Sequence, residues 1–77
     1  MIKWRLEGRW RQAYLSAELF GEYRQRGDGT DYHVRLYSPQ KTISAQATEE
    51  AARSAITDHI EAYLKRAERA GLIQKPD

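Results

Sequence analysis

The sequence predicts an α+β domain: a three-stranded antiparallel meander covered on one face by a single C-terminal helix, in the order β-β-β-α. Three observations predict it. Apolar and polar residues alternate through most of residues 2–38, which is the period of strands. Residues 48–70 repeat their apolar positions at helical spacing instead. The chain has 77 residues, enough for one domain, which we divide into sheet 2–38, linker 39–47, helix 48–70 and tail 71–77.

The first predicted strand covers residues 2–15. Its even positions are mainly apolar, namely Ile2, Trp4, Leu6, Trp10 and Tyr14. Gly8 interrupts this run, and glycine inside a strand often marks a bulge or bend. Two registers therefore stay open. Trp10 and Tyr14 face the helix if the alternation continues, whereas an inversion at Gly8 turns both outward and brings Ala13 inward.

Two further strands are predicted at Glu18–Arg26 and Tyr32–Tyr37. The turn between them, Gly27–Thr30, contains glycines that supply the positive φ a hairpin requires. Gly21 falls on the core side of its strand, where the missing side chain would admit a bulky neighbour such as a tryptophan. Pro39 closes the last strand, because proline cannot donate to a central ladder.

The predicted helix has capping residues at both ends. Thr48 suits the N-cap and Gly71 the C-terminal stop, while Glu49 and Glu50 favour the positive end of the helix dipole. The linker before it is polar, and its Ile43 either anchors to the core or extends a short strand. A sheet with one apolar face needs a cover, and this helix is the only cover in the chain. The predicted core consists of Trp4, Leu6, Trp10, Tyr14, Leu19, Tyr23, Val34 and Leu36 from the sheet and Ile56, Ile60, Tyr63 and Leu64 from the helix.

Charge is distributed unevenly along the chain. The net charge is +2 with a pI near 9.1, but residues 1–38 hold seven Lys or Arg against five Asp or Glu, whereas residues 39–77 hold six of each. Nine of the 13 cations are arginine. Arginine is favoured for bidentate recognition of phosphate or carboxylate and for stacking. The excess charge therefore lies in the sheet half of the chain, and the abundance of arginine favours a surface that recognises phosphate or carboxylate.

The sheet face away from the helix is predicted to be a docking surface. Its partner-binding residues are Arg5, Arg9, Arg11, Arg24, Arg26, Arg35, Tyr37 and Phe20. Strands about 4.8 Å apart bring the arginines of neighbouring strands into one patch. An alternative stays open, because antiparallel sheets commonly wet one face and edge strands carry charge against aggregation. Glu7, Glu18 and Glu22 share this face and either weaken a phosphate track or pair with the arginines.

Four segments, RWRQAYL, ELFGEYRQR, DYHVRLYSP and TEEAARSAI, follow one another along the chain. In order and length they resemble the N-terminal domain of phage-type tyrosine integrases, whose three-stranded sheet lies in the DNA major groove beside one helix. This resemblance implies DNA binding by the sheet, although the 77 residues do not include the recombinase domain that normally follows. By size and type the chain also resembles small phage accessory proteins such as anti-CRISPR inhibitors, which implies a nucleoprotein or protein partner.

No constellation of catalytic residues is evident. Cysteine is absent, which excludes disulfides and thiolate metal sites, and His33 and His59 fall on different elements without converging carboxylates. We therefore expect a non-enzymatic binding module without metal or cofactor. The leading hypothesis is a phage-type accessory protein that docks its arginine face on nucleic acid or a nucleoprotein complex. The alternative is an inhibitor of a host machine that binds protein through the same face.

The sequence also lacks a signal peptide and any apolar run long enough for a membrane span. We therefore expect a cytoplasmic protein that begins at its own Met1 and does not enter a membrane. DNA, RNA and protein all stay open as partners, as does the oligomeric state.

Overall fold

The computed structural model describes residues 2–27, 29, 31–37 and 40–71. Five strands come first and one helix last: β1 (Ile2–Glu7), β2 (Trp10–Leu15), β3 (Glu18–Gln25), β4 (Tyr32–Leu36), β5 (Lys41–Gln46) and α1 (Glu49–Arg69). The strands form one antiparallel sheet in the order β1-β2-β3-β4-β5. An α+β fold with an antiparallel sheet and one C-terminal helix is confirmed, but the sheet has five strands rather than the predicted three.

The predicted strand 2–15 is in fact two strands joined by a tight turn. Glu7 pairs with Trp10, so Gly8 and Arg9 form a two-residue hairpin loop. Gly8 has a φ of +60° at the first central position, where a type II′ turn needs glycine. Because the chain reverses here, Trp10 lies on the same face of the sheet as Glu7. The even-numbered residues of β1 therefore face the helix, whereas the even-numbered residues of β2 face away from it.

This inversion settles the register that the sequence left open. Ala13 is fully buried under the helix, whereas Trp10 and Tyr14 lie on the opposite face of the sheet. The prediction that Trp10 and Tyr14 belong to the core is therefore wrong. Leu6 stays on the helix side but is 63% exposed, because α1 lies over β3, β4 and β5 rather than over β1.

The fifth strand falls inside the predicted linker 39–47. β5 pairs with β4, where Ile43 lies opposite Val34, and Ile43 packs against the core. Its sequence, KTISAQ, carries a single large apolar residue, which is why the residue pattern does not predict a strand. The sheet therefore continues past residue 38.

A β-bulge at Phe20 changes the faces of β3. Tyr14 pairs with Leu19 and Ala13 pairs with Gly21, so Phe20 is an extra residue with no partner in β2. Its ring turns toward the helix, where it is 2% exposed and its centroid lies 4.8 Å from that of Tyr63. The prediction that Phe20 belongs to the open docking face is wrong. Leu19, which was expected in the core, shares the open face with its partner Tyr14.

Gly21 allows the helix to approach the sheet closely. A Cβ atom at this position would lie 2.8 Å from Cγ2 and 3.1 Å from Cγ1 of Ile56. The bulky neighbour that the sequence predicted here exists, but it is Ile56 of α1 rather than a tryptophan. The core around this contact contains Ala13, Phe20, Tyr23, Val34, Leu36, Ala52, Ile56 and Ile60.

The helix agrees closely with its prediction. The Thr48 hydroxyl accepts a hydrogen bond from the Ala51 amide at 3.1 Å, and Gly71 adopts a left-handed φ of +74° just beyond the last turn. Among the described residues, two side-chain hydrogen bonds and a cation–π contact of Arg53 with Trp4, at 4.7 Å, tie α1 to the sheet. The Tyr23 hydroxyl donates to Glu49 at 2.7 Å, and His59 Nε2 donates to the backbone carbonyl of Tyr37 at 2.6 Å.

Some predictions concern residues outside the described part of the chain, namely the strand-closing role of Pro39 and the tail beyond Gly71. Among the residues that the structure describes, there is no helix with the length and apolar character needed to cross a bilayer.

Candidate functional site

The candidate site is the sheet face that points away from α1, which we call the open face. Strand register places on it Lys3, Arg5, Glu7, Trp10, Gln12, Tyr14, Leu19, Glu22, Arg24, His33, Arg35, Tyr37 and Thr42. Their side chains form two clusters that meet at one buried carboxylate. The clusters combine aromatic rings with guanidinium groups.

The first cluster surrounds Trp10, which is half-buried at the start of β2. The guanidinium carbons of Arg24 and Arg35 lie 5.1 Å and 4.7 Å from the centroid of its ring. The His33 ring meets Trp10 edge-on, with centroids 6.0 Å apart and an interplanar angle of 68°. Cation–π contacts of this kind contribute about 0.5–1 kcal/mol each at exposed sites. Three strands thus contribute to one aromatic and cationic cluster.

The second cluster lies on β1 and β2. The Arg5 guanidinium carbon is 5.5 Å from the centroid of the Tyr14 ring, and the Tyr14 hydroxyl donates to Gln12 Oε1 at 3.0 Å. A groove of about 470 Å³ opens beside this pair. Its lining residues are Lys3, Trp4, Arg5, Tyr14, Ser16 and Ala17.

Glu22 connects the two clusters. Although it lies on the open face, it is only 6% exposed. Its carboxylate accepts hydrogen bonds from Gln12 Nε2 at 3.0 Å and from the Tyr37 hydroxyl at 2.6 Å, and Arg35 Nη1 lies 3.9 Å away. A buried carboxylate is stable only when it is hydrogen-bonded and paired in this way. The Glu22 carboxylate therefore interacts with these protein groups and is shielded from a ligand on the open face.

Two titratable groups of the open face have displaced pKa values. The hydrogen bond to Glu22, together with burial, raises the pKa of Tyr37 above its usual value. Burial lowers the pKa of His33 below 6.5, and the nearby cations Arg35 and Arg24 act in the same direction. His33 is therefore a neutral aromatic ring at neutral pH.

The predicted site residues separate into two groups. Arg5, Arg24, Arg35 and Tyr37 share the open face, as the contacts above show. Arg11 pairs with Leu6 and Tyr23 and therefore lies on the helix side, so its placement on the open face is wrong.

Two further predicted residues lie at the margins of the sheet. Arg9 occupies the turn between β1 and β2, and Arg26 follows β3, where its Nε forms an ion pair with Asp31 at 3.2 Å. The sequence reasoning also left Trp10 and Tyr14 outside the predicted site. The signal that would have found them is Gly8 as the first residue of a two-residue hairpin loop, since such a loop moves both rings to the arginine face.

Among the described residues, no three His, Cys, Asp or Glu side chains are grouped so that they could hold a metal ion. No protein-family model, curated protein or solved structure matches this chain.

Proposed function

We propose that the open face binds single-stranded nucleic acid, with bases stacking on Trp10 and Tyr14 and phosphates contacting the surrounding arginines. The observation that carries this proposal is the contact of both half-buried rings of β2 with guanidinium groups of the open face, Trp10 with Arg24 and Arg35 and Tyr14 with Arg5. Sheet surfaces that bind single strands combine aromatic stacking platforms with cations that follow the backbone.

The width of the sheet favours a single strand over a duplex. Five strands spaced about 4.8 Å apart span roughly 19 Å, whereas the DNA major groove is about 12 Å wide. A three-stranded sheet of the integrase type is narrower than this five-stranded sheet and is therefore easier to fit into the groove. The aromatic rings lie inside this broad face, on β2, where only unpaired bases could reach them with their flat surfaces.

The charges of the open face suit a phosphate backbone. Arg5, Arg24 and Arg35 are exposed, and Lys3 lies at the β1 edge. Glu22 is buried and hydrogen-bonded within the protein, whereas Glu7, opposite Trp10, is exposed on this face. The four cations outnumber this one exposed carboxylate. If these four cations each neutralise one phosphate of a single strand, log K should fall with log salt with a slope of about −3. A protein interface built on aromatic anchors would depend on salt much less.

The decisive experiment compares arginines on the two faces of the same sheet. Fluorescence anisotropy with labelled single-stranded DNA and RNA oligonucleotides would measure affinity for the wild type and for single variants. Arg24→Ala and Arg35→Ala should each weaken binding about tenfold, since hydrogen bonds to charged groups contribute about 1.5–3 kcal/mol. Arg11→Ala is the matched control, because Arg11 is exposed on β2 but faces the helix side.

Equal losses for Arg11→Ala and Arg24→Ala would show that binding reflects net charge and not the open face. If no oligonucleotide binds at low salt, the proposal is wrong. The alternative function, an inhibitor that docks a protein through the same residues, would then be the one to pursue.

A further inference from the structure

We propose that two copies of this chain join through β1, so that their sheets continue into one another across a two-fold axis. The outer edge of β1 carries this inference. In the described chain β1 pairs only with β2, and its register runs without interruption from Ile2 to Glu7. The backbone of α1 lies over β3, β4 and β5, although its Arg53 side chain reaches the ring of Trp4. The sequence of β1, IKWRLE, contains no proline. Edge strands are usually protected by a bulge, a proline, a covering element or charged side chains, and β1 has only the last of these, at Lys3, Arg5 and Glu7. Charge does not prevent pairing where the two strands place opposite charges against each other.

The turn at Gly8 determines which residues can pair across this edge. In a two-residue hairpin the residues flanking the loop form a hydrogen-bonded pair, here Glu7 and Trp10. Alternation then directs the backbone groups of the odd-numbered residues of β1 toward β2. Those of Ile2, Trp4 and Leu6 point outward and are open to a second strand.

Charge and strand length select one register from those that fit this pattern. Trp4 opposite Ile2 would place Lys3 against Lys3, and Leu6 opposite Leu6 would place Trp4 against Gly8, in the turn beyond β1. Two registers remain. If Trp4 lies opposite Trp4 of the second copy, Lys3 lies opposite Arg5, and this like-charge contact occurs twice. If Trp4 lies opposite Leu6, Lys3 lies opposite Glu7, and two complementary pairs form. Opposite charges across strands stabilise pairing and like charges destabilise it. One Arg5–Arg5 contact remains, but each guanidinium leans over Tyr14, away from the edge.

The favoured register also covers the exposed apolar residue of the edge. Leu6 is 63% exposed and lies on the helix side of the sheet, as does the half-buried Trp4. Pairing of Trp4 with Leu6 brings each leucine of the dimer against an indole ring, and such aromatic–aliphatic pairs stabilise sheets. The same contact gives the exposed Leu6 a packing partner that the monomer does not supply.

A two-fold axis between antiparallel edge strands is perpendicular to the sheet. The open faces of both copies therefore lie on one side, and both helices lie on the other. This dimer goes beyond the proposed function and does not depend on it, since its formation requires no nucleic acid. Where both hold, the dimer doubles the length of the binding face.

Sedimentation equilibrium without nucleic acid tests the proposal. The wild type should show a concentration-dependent equilibrium between monomer and dimer. Lys3→Glu and Glu7→Lys should each weaken the dimer about tenfold or more, because both cross-strand pairs become like-charged. An equimolar mixture of the two variants should recover the dimer, since both pairs between positions 3 and 7 of unlike copies are then complementary. Lys65→Glu, the same charge change on an exposed position of α1, is the control and should leave the equilibrium unchanged.

Both variants are at exposed positions, and circular dichroism melts should show wild-type folding. A wild type that stays monomeric at every soluble concentration would overturn the proposal. Tighter association of Lys3→Glu would overturn it too, because that result belongs to the register in which Lys3 faces Arg5.

Discussion

The two faces of this sheet are ordered by different forces. On the covered face, Ala13, Val34, Ile56 and Ile60 are fully buried, and at Gly21 the helix approaches the sheet too closely for a Cβ atom to fit. On the open face, rings and cations are held by cation–π contacts and by hydrogen bonds that converge on Glu22.

The difference shows that stability and surface chemistry are separable in this chain. Burial of branched apolar side chains contributes about 1.5–3 kcal/mol per residue, whereas exposed cation–π contacts contribute less than about 1 kcal/mol. Packing needs therefore account for the covered face. They do not account for a tryptophan between two arginines on the other side, and substitutions on the two faces should have different consequences.

The largest effect is expected for Ile56→Ala. Ile56 is fully buried at the centre of the covered face, and removal of such a side chain costs about 2–5 kcal/mol in the free energy of unfolding. Urea denaturation measures this loss. Leu6→Ala, at an exposed position of the same apolar character, is the control and should cost less than about 1 kcal/mol when the chain is monomeric. Similar losses for both variants would contradict the assigned core.

Gly21→Ala adds a single methyl group to the covered face and tests how closely the helix packs there. The new Cβ would approach Ile56 Cγ2 to 2.8 Å, and overpacking of this kind costs about 1–3 kcal/mol. Combining it with Ile56→Ala removes the obstructing atoms, so the additional loss should largely vanish in the double variant. Additive losses in this double-mutant cycle would show that the helix does not contact the sheet at Gly21.

Tyr23, on the covered face, should make the stability of the protein depend on pH in alkaline solution. Burial raises its pKa from 10.0 to about 12, and the hydrogen bond to Glu49 adds to this effect. The unfolded chain therefore releases this proton first, and stability should fall as pH rises from 10 toward 12. Thermal melts across this range should show the decline. Tyr23→Phe should be about 1 kcal/mol less stable at neutral pH, from loss of the hydrogen bond. If its alkaline decline is as steep as in the wild type, Tyr23 is not the group responsible.

His33 should give the smallest effect, and it concerns the open face. Its pKa lies below 6.5, so the ring gains a proton only in mildly acidic solution, and a bound phosphate backbone would favour the charged form. Binding is then coupled to proton uptake, and affinity for single strands should rise modestly as pH falls below about 6.5. His33→Gln should remove this dependence. An unchanged pH profile in the variant would place His33 outside the contact surface.

The helix could be predicted from the sequence because its determinants are local. Thr48 caps it, Gly71 ends it, and the predicted range 48–70 nearly coincides with α1. β5 could not be predicted in the same way. One apolar residue, Ile43, does not establish a period of two, and this strand forms because β4 supplies its partner.

The face of a candidate-site residue could be predicted only where no turn or bulge displaced that residue from the alternation of the sequence. Arg5 lies before the first irregularity, Arg24 lies on the part of β3 after the bulge, and Arg35 lies on β4; at these positions the alternation assigns the correct face. Arg11 and Phe20 were assigned to the wrong face. Arg11 follows the two-residue turn, and Phe20 is the bulged residue of β3. Each irregularity moves side chains to the opposite face of the sheet, while the alternation of apolar and polar residues in the sequence gives no sign of the change.

The two tryptophans allow the proposed interface to be tested by fluorescence, since Trp10 lies on the open face and Trp4 packs against the core on the other. Trp4→Phe leaves Trp10 as the reporter, and Trp10→Phe leaves Trp4. If bases stack on the open face, titration with a single-stranded oligonucleotide should quench the emission of the Trp4→Phe variant at the concentrations that saturate binding, and the Trp10→Phe variant should bind more weakly and show little quenching. Quenching of Trp4 alone, or saturable binding that leaves Trp10 emission unchanged, would contradict an interface centred on Trp10.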